Sequence, residues 1–302
     1  MRDLIRPGCS RKGWLGFRCL KVAMRLGNRQ LSVRILSAIF MVILGLSFGS
    51  VALAQEARWE VLNNQLVALY QQGKYKEAIP VAKETLKLTE QIFGPNHPHV
   101  VDVLNVLGQM YESEGDFIKA ESTLKRALEV GQKVMGPNHI KVADSLNNLA
   151  VLYRKQDRYT EAEQFYSRSL EIWEKALGPD HPSVATGLDN LSLVHVKQGR
   201  YSDAETLSKR ALVIYEKTLG PDHPDVAINL SNLAFIYLKQ GKYAEAEPLL
   251  KRALAIQEKA LGPEHPNLAT ILQNLSMLYR AQGRYDEAQR LHERAKRIWG
   301  ER

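Results

Sequence analysis

Cysteine is nearly absent from this chain: two residues in 302, Cys9 and Cys19, both within the first twenty positions. Beyond them the sequence can form no disulfide of its own and offers no thiolate for a metal site. A glycine-rich phosphate loop, a serine–histidine–acid set and a Cys/His cluster are also missing, so neither an enzyme nor a cofactor is expected. A strongly apolar run occurs only at Ile35–Leu46. Charge of one sign is lacking too, once the total is divided along the chain. The net charge is +8, from 41 Lys/Arg and 33 Asp/Glu, but residues 1–54 hold nine of the basic residues and one acid, Asp3, which leaves 32 of each sign in the remainder. A balanced body has no electrostatic footprint for nucleic acid, and this opposes an RNA-binding helical repeat.

What the sequence does contain is repetition. Gly-Pro recurs at Gly94, Gly136, Gly178, Gly220 and Gly262, each 42 residues from the last. A fixed period of that size signals a solenoid. Within the unit Gly220–Leu261, Leu230, Leu233, Ala234 and Tyr237 fall at i, i+3, i+4 and i+7, one face of a first helix, here helix A. Gly241 suits the left-handed conformation that closes such a helix. A second pattern, helix B, starts at Tyr243 and runs through Ala246, Leu249, Leu250, Ala253, Leu254 and Ile256 to Leu261. The next Gly-Pro-x-His-Pro breaks the chain, and Pro224 fits a first helical position, where its missing N–H is no loss.

Three positions recur in phase. A small residue stands in the middle of helix A (Gly108, Ala150, Ser192, Ala234, Ser276), and an aromatic opens helix B (Tyr75, Phe117, Tyr159, Tyr201, Tyr243, Tyr285). An alanine follows it three residues on (Ala78, Ala120, Ala162, Ala204, Ala246, Ala288). This pattern resembles the tetratricopeptide repeat, in the 42-residue form of kinesin light chains. The resemblance implies an all-α, right-handed superhelical solenoid of about six helix-turn-helix repeats, approximately 56–93, 94–135, 136–177, 178–219, 220–261 and 262–302. Two departures stand out: Asp157 replaces a turn glycine, and His195 replaces a tyrosine.

Residues 1–54 read as an export signal: arginines up to Arg34, the apolar run, then Ala52-Leu53-Ala54 before Gln55, the small-residue pattern a signal peptidase cuts. A start at Met24 would give an n-region of ordinary length. Left uncleaved, residues 35–54 would anchor the protein in a membrane, since about 20 apolar residues span a bilayer. An anchored assembly factor for a larger complex is therefore the alternative to an exported protein. Gln65 stands where later repeats have Leu107, Leu149, Leu191, Leu233 and Leu275, and Lys296 where earlier ones have Leu86, Leu128, Leu170, Leu212 and Leu254. Polar residues at these two positions suit solvent-facing end repeats.

Five of the eight histidines occupy the loop: His97, His139, His181, His223 and His265. Repeats stacked about 10 Å apart cannot bring two of them within the roughly 2 Å ligand distance of one metal ion, so a packing or capping role is expected and no metal site. Glu245 and Glu247, with Lys251-Arg252, read as a solvated face with local ion pairs. Asn190-Leu191-Ser192, Asn229-Leu230-Ser231 and Asn274-Leu275-Ser276 match the glycosylation sequon, but lie mid-helix around a packed leucine.

The asparagines of helix A carry the functional expectation. Asn148, Asn190, Asn232 and Asn274 share one position, and Asn105 and Asn147 lie one residue earlier. Val151, Leu193, Phe235 and Met277 follow three residues on, and Lys155, Lys197 and Lys239 seven on. Asparagine is a mediocre helix former, so its recurrence invites a reason. Together these residues would line the concave surface, which in tetratricopeptide proteins holds partner peptides, and the resemblance to kinesin light chains implies asparagines that clamp an extended ligand. The alternative is that the amides only bridge adjacent A helices.

Overall fold

The computed structural model describes residues 53–300. The expected export signal, the Met24 start and all but the last two residues of the leader lie outside them. Among the described residues every regular element is a helix, and there are twelve: α1 (53–71), α2 (Tyr75–Phe93), α3 (Pro98–Ser113), α4 (Phe117–Met135), α5 (Ile140–Lys155), α6 (Tyr159–Leu177), α7 (Pro182–Lys197), α8 (Tyr201–Leu219), α9 (Pro224–Lys239), α10 (Tyr243–Leu261), α11 (Leu268–Ala281) and α12 (Tyr285–Trp299). Odd-numbered helices are the A helices and even-numbered ones the B helices. None of the described helices is long and apolar enough to cross a membrane.

The chain divides into two units, residues 1–65 and 66–302, with the division inside α1. In the second unit each A helix packs most closely on its own B helix, each B helix on the next A helix, and each A helix from α3 to α9 also on the next A helix. The A helices therefore form an inner row and the B helices an outer one. This is the helix-pair stacking of a tetratricopeptide solenoid. The recurring small residues sit where A crosses B: Ala150, Ser192, Ala234 and the six B-helix alanines, from Ala78 to Ala288, are fully buried. Serine is tolerated at the A position because its hydroxyl has an acceptor: Ser192 Oγ donates to the Ala204 carbonyl at 3.0 Å and Ser276 Oγ to that of Ala288 at 2.8 Å. Glycine at 108 lets Leu124 press onto the helix; a Cβ there would meet Leu124 at 2.5 Å.

Loop histidines fix where each A helix begins. His97, His139, His181 and His223 are N-caps, and their Nδ1 atoms accept from the N–H of His99, Lys141, Ser183 and Asp225 at 3.1–3.2 Å. His265 accepts from Asn267 N–H at 3.2 Å in the same way, although α11 starts later, at Leu268. One orphan donor of each helix start is thus satisfied by an imidazole in place of the usual oxygen. At the other end of the A helices the turn needs a positive φ. Gly241 supplies it at 74°, and Asp157 adopts 58° without being glycine, a conformation that short polar side chains tolerate. At the two polar positions the structure agrees with expectation: Gln65 and Lys296 are both exposed.

Consecutive B helices are joined by charge across the repeats. Arg210 reaches Glu174 at 2.7 Å, Arg252 reaches Glu216 at 2.6 Å, Arg294 reaches Glu258 at 2.7 Å, and Arg126 pairs with Glu90. Arg168 breaks the ladder because Gln132 stands where the acid would be; it bonds Asn138 and Glu171 instead. A second set sits at the A–B turns, where Arg158, Arg200, Lys242 and Arg284 reach Glu121, Glu163, Glu205 and Glu247 of the preceding B helix. Glu247 is therefore more than part of a solvated face: it takes Lys251 at 2.8 Å within its helix and Arg284 at 3.2 Å from the next repeat. These hydrogen bonds, from Lys251 first, hold its pKa down at about 2.

The departure at His195 has a local reason. Tyr153 and Tyr279 donate their hydroxyls to Glu121 and Glu247 of the preceding B helix, at 3.1 and 3.3 Å. His195 brings Nε2 to 3.3 Å from Glu163, so an imidazole approaches the equivalent carboxylate of its own preceding B helix. Burial pushes its pKa down, with Arg200 pushing the same way.

Candidate functional site on the inner helix row

The outward stripe of each A helix follows a spacing of 3, 4, 3 and 4 residues. On α9 it is Asp225, Ile228, Asn232, Phe235 and Lys239, each exposed or half-buried while the residues between them are mostly buried. The period of 3.6 residues per turn makes these five positions one line along the helix. On α7 the line is Ser183, Thr186, Asn190, Leu193 and Lys197; on α5 it is Lys141, Asp144, Asn148, Val151 and Lys155.

Across the row, three bands form. The middle band holds Asn148, Asn190, Asn232 and Asn274, and each is bonded to a neighbouring A helix. Gln109 Nε2 donates to Asn148 Oδ1 at 2.9 Å, Asn190 Nδ2 to Asn147 Oδ1 at 3.4 Å, Asn232 Nδ2 to Asp189 Oδ2 at 3.1 Å, and Asn274 Nδ2 to Ser231 Oγ at 3.2 Å. Asn148, Asn190 and Asn232 remain half-buried, whereas Asn274 and Asn105 are 9% exposed and lie beneath the surface. The Asn105 Oδ1 atom is buried without a hydrogen-bond partner. These amides do bridge A helices. The bridge uses one end of each half-buried amide: Asn148 Nδ2, Asn190 Oδ1 and Asn232 Oδ1 carry no bond to another described residue.

Beside the asparagines runs an apolar band. Val151, Leu193 and Phe235 are half-buried and Met277 is 47% exposed. A pocket of about 180 Å³ opens next to Val151, walled by Tyr70, Gln109, Glu112, Ser113, Leu124 and Asn148. The Tyr70 hydroxyl donates to Gln109, which continues the amide chain to Asn148. The third band is cationic. Lys155 pairs with Glu112. Lys197 and Lys239 are exposed and pair with no carboxylate among the described residues; the Lys239 ammonium lies 5.1 Å from the centre of the Phe235 ring.

Sequence reasoning missed Asp189. It occupies the position held in other repeats by Asn105, Asn147, Ser231 and Gln273, and it is the one acid of the set. Only 8% exposed, it accepts from Asn229 at 3.0 Å and from Asn232. Burial pushes its pKa up to about 6, against the pull of the two amides. A single acid among uncharged polar equivalents was the available signal. The loop histidines, by contrast, are committed to their caps, and among the described residues no three His, Cys, Asp or Glu side chains gather to hold a metal ion. The sequon Asn229 is fully buried.

The tetratricopeptide repeat family model matches residues 60–133, 104–172, 141–217, 188–259 and 225–301. Among solved structures, BtubC (BKLC) from P. vanneervenii is 26% identical, with a TM-score of 0.64 over 75% of this chain and 91% of that one. The structure named "Podosopora anserina putative kinesin light chain nearly identical TPR-like repeats" is 28% identical, with a TM-score of 0.57 over 67% of this chain and 96% of that one. A Rap protein complexed with Competence and Sporulation Factor shares the fold at 16% identity, with a TM-score of 0.58 over 81% and 76%. No curated protein matches the sequence.

Proposed function

Because the chain belongs to the tetratricopeptide repeat family, we propose that it is a non-enzymatic scaffold that holds an extended segment of a partner protein along its inner helix row, and that residues 1–54 direct its export. One observation carries the binding reading. An apolar band of three partly buried residues, Val151, Leu193 and Phe235, and the exposed Met277 runs beside two lysines, Lys197 and Lys239, that have no carboxylate partner among the described residues. Apolar contact would supply most of the affinity, and the lysines would favour acidic sequence in a salt-dependent way. Free amide ends on Asn148, Asn190 and Asn232 would meet the ligand's backbone.

The test is selection of linear peptides from a displayed library on the full chain, followed by titration against Phe235→Asp and the pair Lys197→Glu with Lys239→Glu. A selected peptide should lose at least tenfold in affinity on each variant, with helicity unchanged. Peptides that bind both variants as tightly as the parent would overturn the assignment to this face.

A further inference from the structure

The spacing of the inner row constrains the conformation of what lies on it. Val151, Leu193, Phe235 and Met277 come one from each of α5, α7, α9 and α11. Successive A helices approach to within 8 Å between Cα atoms, and packed helices lie about 8–10 Å apart, so the apolar side chains recur at about 8–10 Å. A ligand must present its own apolar groups to one side at that interval.

Three backbones can be compared. A β-strand returns to the same face every second residue, at about 6.6 Å or about 13 Å, and matches neither. An α-helix returns after seven residues, at about 10.5 Å, but its body is about 10 Å across, and the apolar band is one residue wide between amides and lysines. A polyproline-II segment has three residues per turn and about 3.1 Å rise, so every third side chain faces the same way at about 9.3 Å. Its backbone makes no internal hydrogen bonds, leaving N–H and C=O groups for Asn148 Nδ2, Asn190 Oδ1 and Asn232 Oδ1.

Resting on the peptide-binding reading above, we propose that the partner segment is a polyproline-II stretch with an apolar side chain at every third residue and acidic residues between them. The acids belong over α7 and α9, where Lys197 and Lys239 have no carboxylate partner among the described residues; over α5 the cation is already taken by Glu112. Proline in the intervening positions favours binding because it sets this conformation before the segment docks.

Fluorescein-labelled 22-residue peptides of one composition (four Leu, with Glu, Ala and Ser) and three arrangements test it, with the leucines three, two or seven residues apart. Anisotropy titrations use the full chain at low and high salt. The period-three peptide should bind at least tenfold more tightly than its isomers, should weaken with salt, and should weaken on Lys197→Glu with Lys239→Glu, two exposed positions whose reversal leaves the core alone. Equal binding of the isomers, or tightest binding of the period-seven peptide, would overturn the polyproline-II assignment. If none of the three binds while a library-selected peptide does, and that peptide responds to Phe235→Asp, the register proposal fails and the peptide-binding reading stands. If no linear peptide binds, both fail.

Discussion

Replacing Asn232 with alanine removes one of the two amide donors that face the Asp189 carboxylate, and its cost should depend on pH. The ordinary value for this aspartate is 3.8, and burial raises it to about 6 in the fold. The folded chain therefore holds a proton between about pH 4 and pH 6 that the unfolded chain has released. Stability from this group is highest below pH 4, falls as pH rises to 6, and is level above. The fall is about 3 kcal/mol, at 1.36 kcal/mol per pKa unit. Above pH 6 the Asn232 amide donates to a buried anion, a bond worth about 1.5–3 kcal/mol; to the protonated acid the same bond is worth about 0.5–1.5 kcal/mol. Alanine returns about 0.5 kcal/mol as the better helix former. Asn232→Ala should then cost about 1–2.5 kcal/mol at pH 8 and under about 1 kcal/mol at pH 4.5. Urea unfolding of both proteins at the two pH values gives the difference, in which the acid response of all other carboxylates cancels. Asp189→Asn should lose the slope between pH 4 and 6 and be at least as stable as the parent at pH 8. An equal loss for Asn232→Ala at both pH values, or a larger one at pH 4.5, would refute the role assigned to this bond.

Three further outcomes follow from the same structure. His181→Ala removes the acceptor for Ser183 N–H and should cost about 0.5–2 kcal/mol, while His181→Asn should restore most of it, because asparagine is among the best N-caps; thermal melts compare the three. The Glu247 carboxyl, held at about 2 by Lys251 and Arg284, contributes stability above its ordinary value of 4.5 that is lost as pH falls from there towards 2. Glu247→Gln should therefore flatten the acid limb of the melting profile. Intact mass of the protein from its native host should begin at Gln55, and a membrane-bound species retaining residues 35–54 would contradict export by cleavage.

How much of this was legible in the sequence depends on how far apart the partners lie. The 42-residue period, the Gly-Pro breaks and the in-phase alanines fix the helix pairs, because those features act within one repeat. Bonds between repeats hide from such reading. Arg252 and Glu216 are 36 residues apart, and Asn232 and Asp189 are 43 apart, so a search for ion pairs at i and i+4 sees only pairs within one helix, such as Lys251 with Glu247. The asparagine position was found by its offset from the packing stripe. Which end of each amide is used, and that Asn105 and Asn274 sink below the surface, depends on the depth of the A–A contact, which periodicity does not give. Asp157 was read as a departure from glycine, and the left-handed turn it adopts shows that the position demands a conformation and tolerates a second residue type.

Lysine footprinting with an acylating reagent tests the central claim most directly. Lys197 and Lys239 edge the inner band, while Lys175 on α6 and Lys259 on α10 are 73% and 77% exposed on the outer row. With a library-selected peptide at saturation, labelling of Lys197 and Lys239 should fall several-fold and that of Lys175 and Lys259 should stay constant. Protection of the outer lysines, with the inner pair labelled as fast as in the free protein, would contradict binding on the inner row.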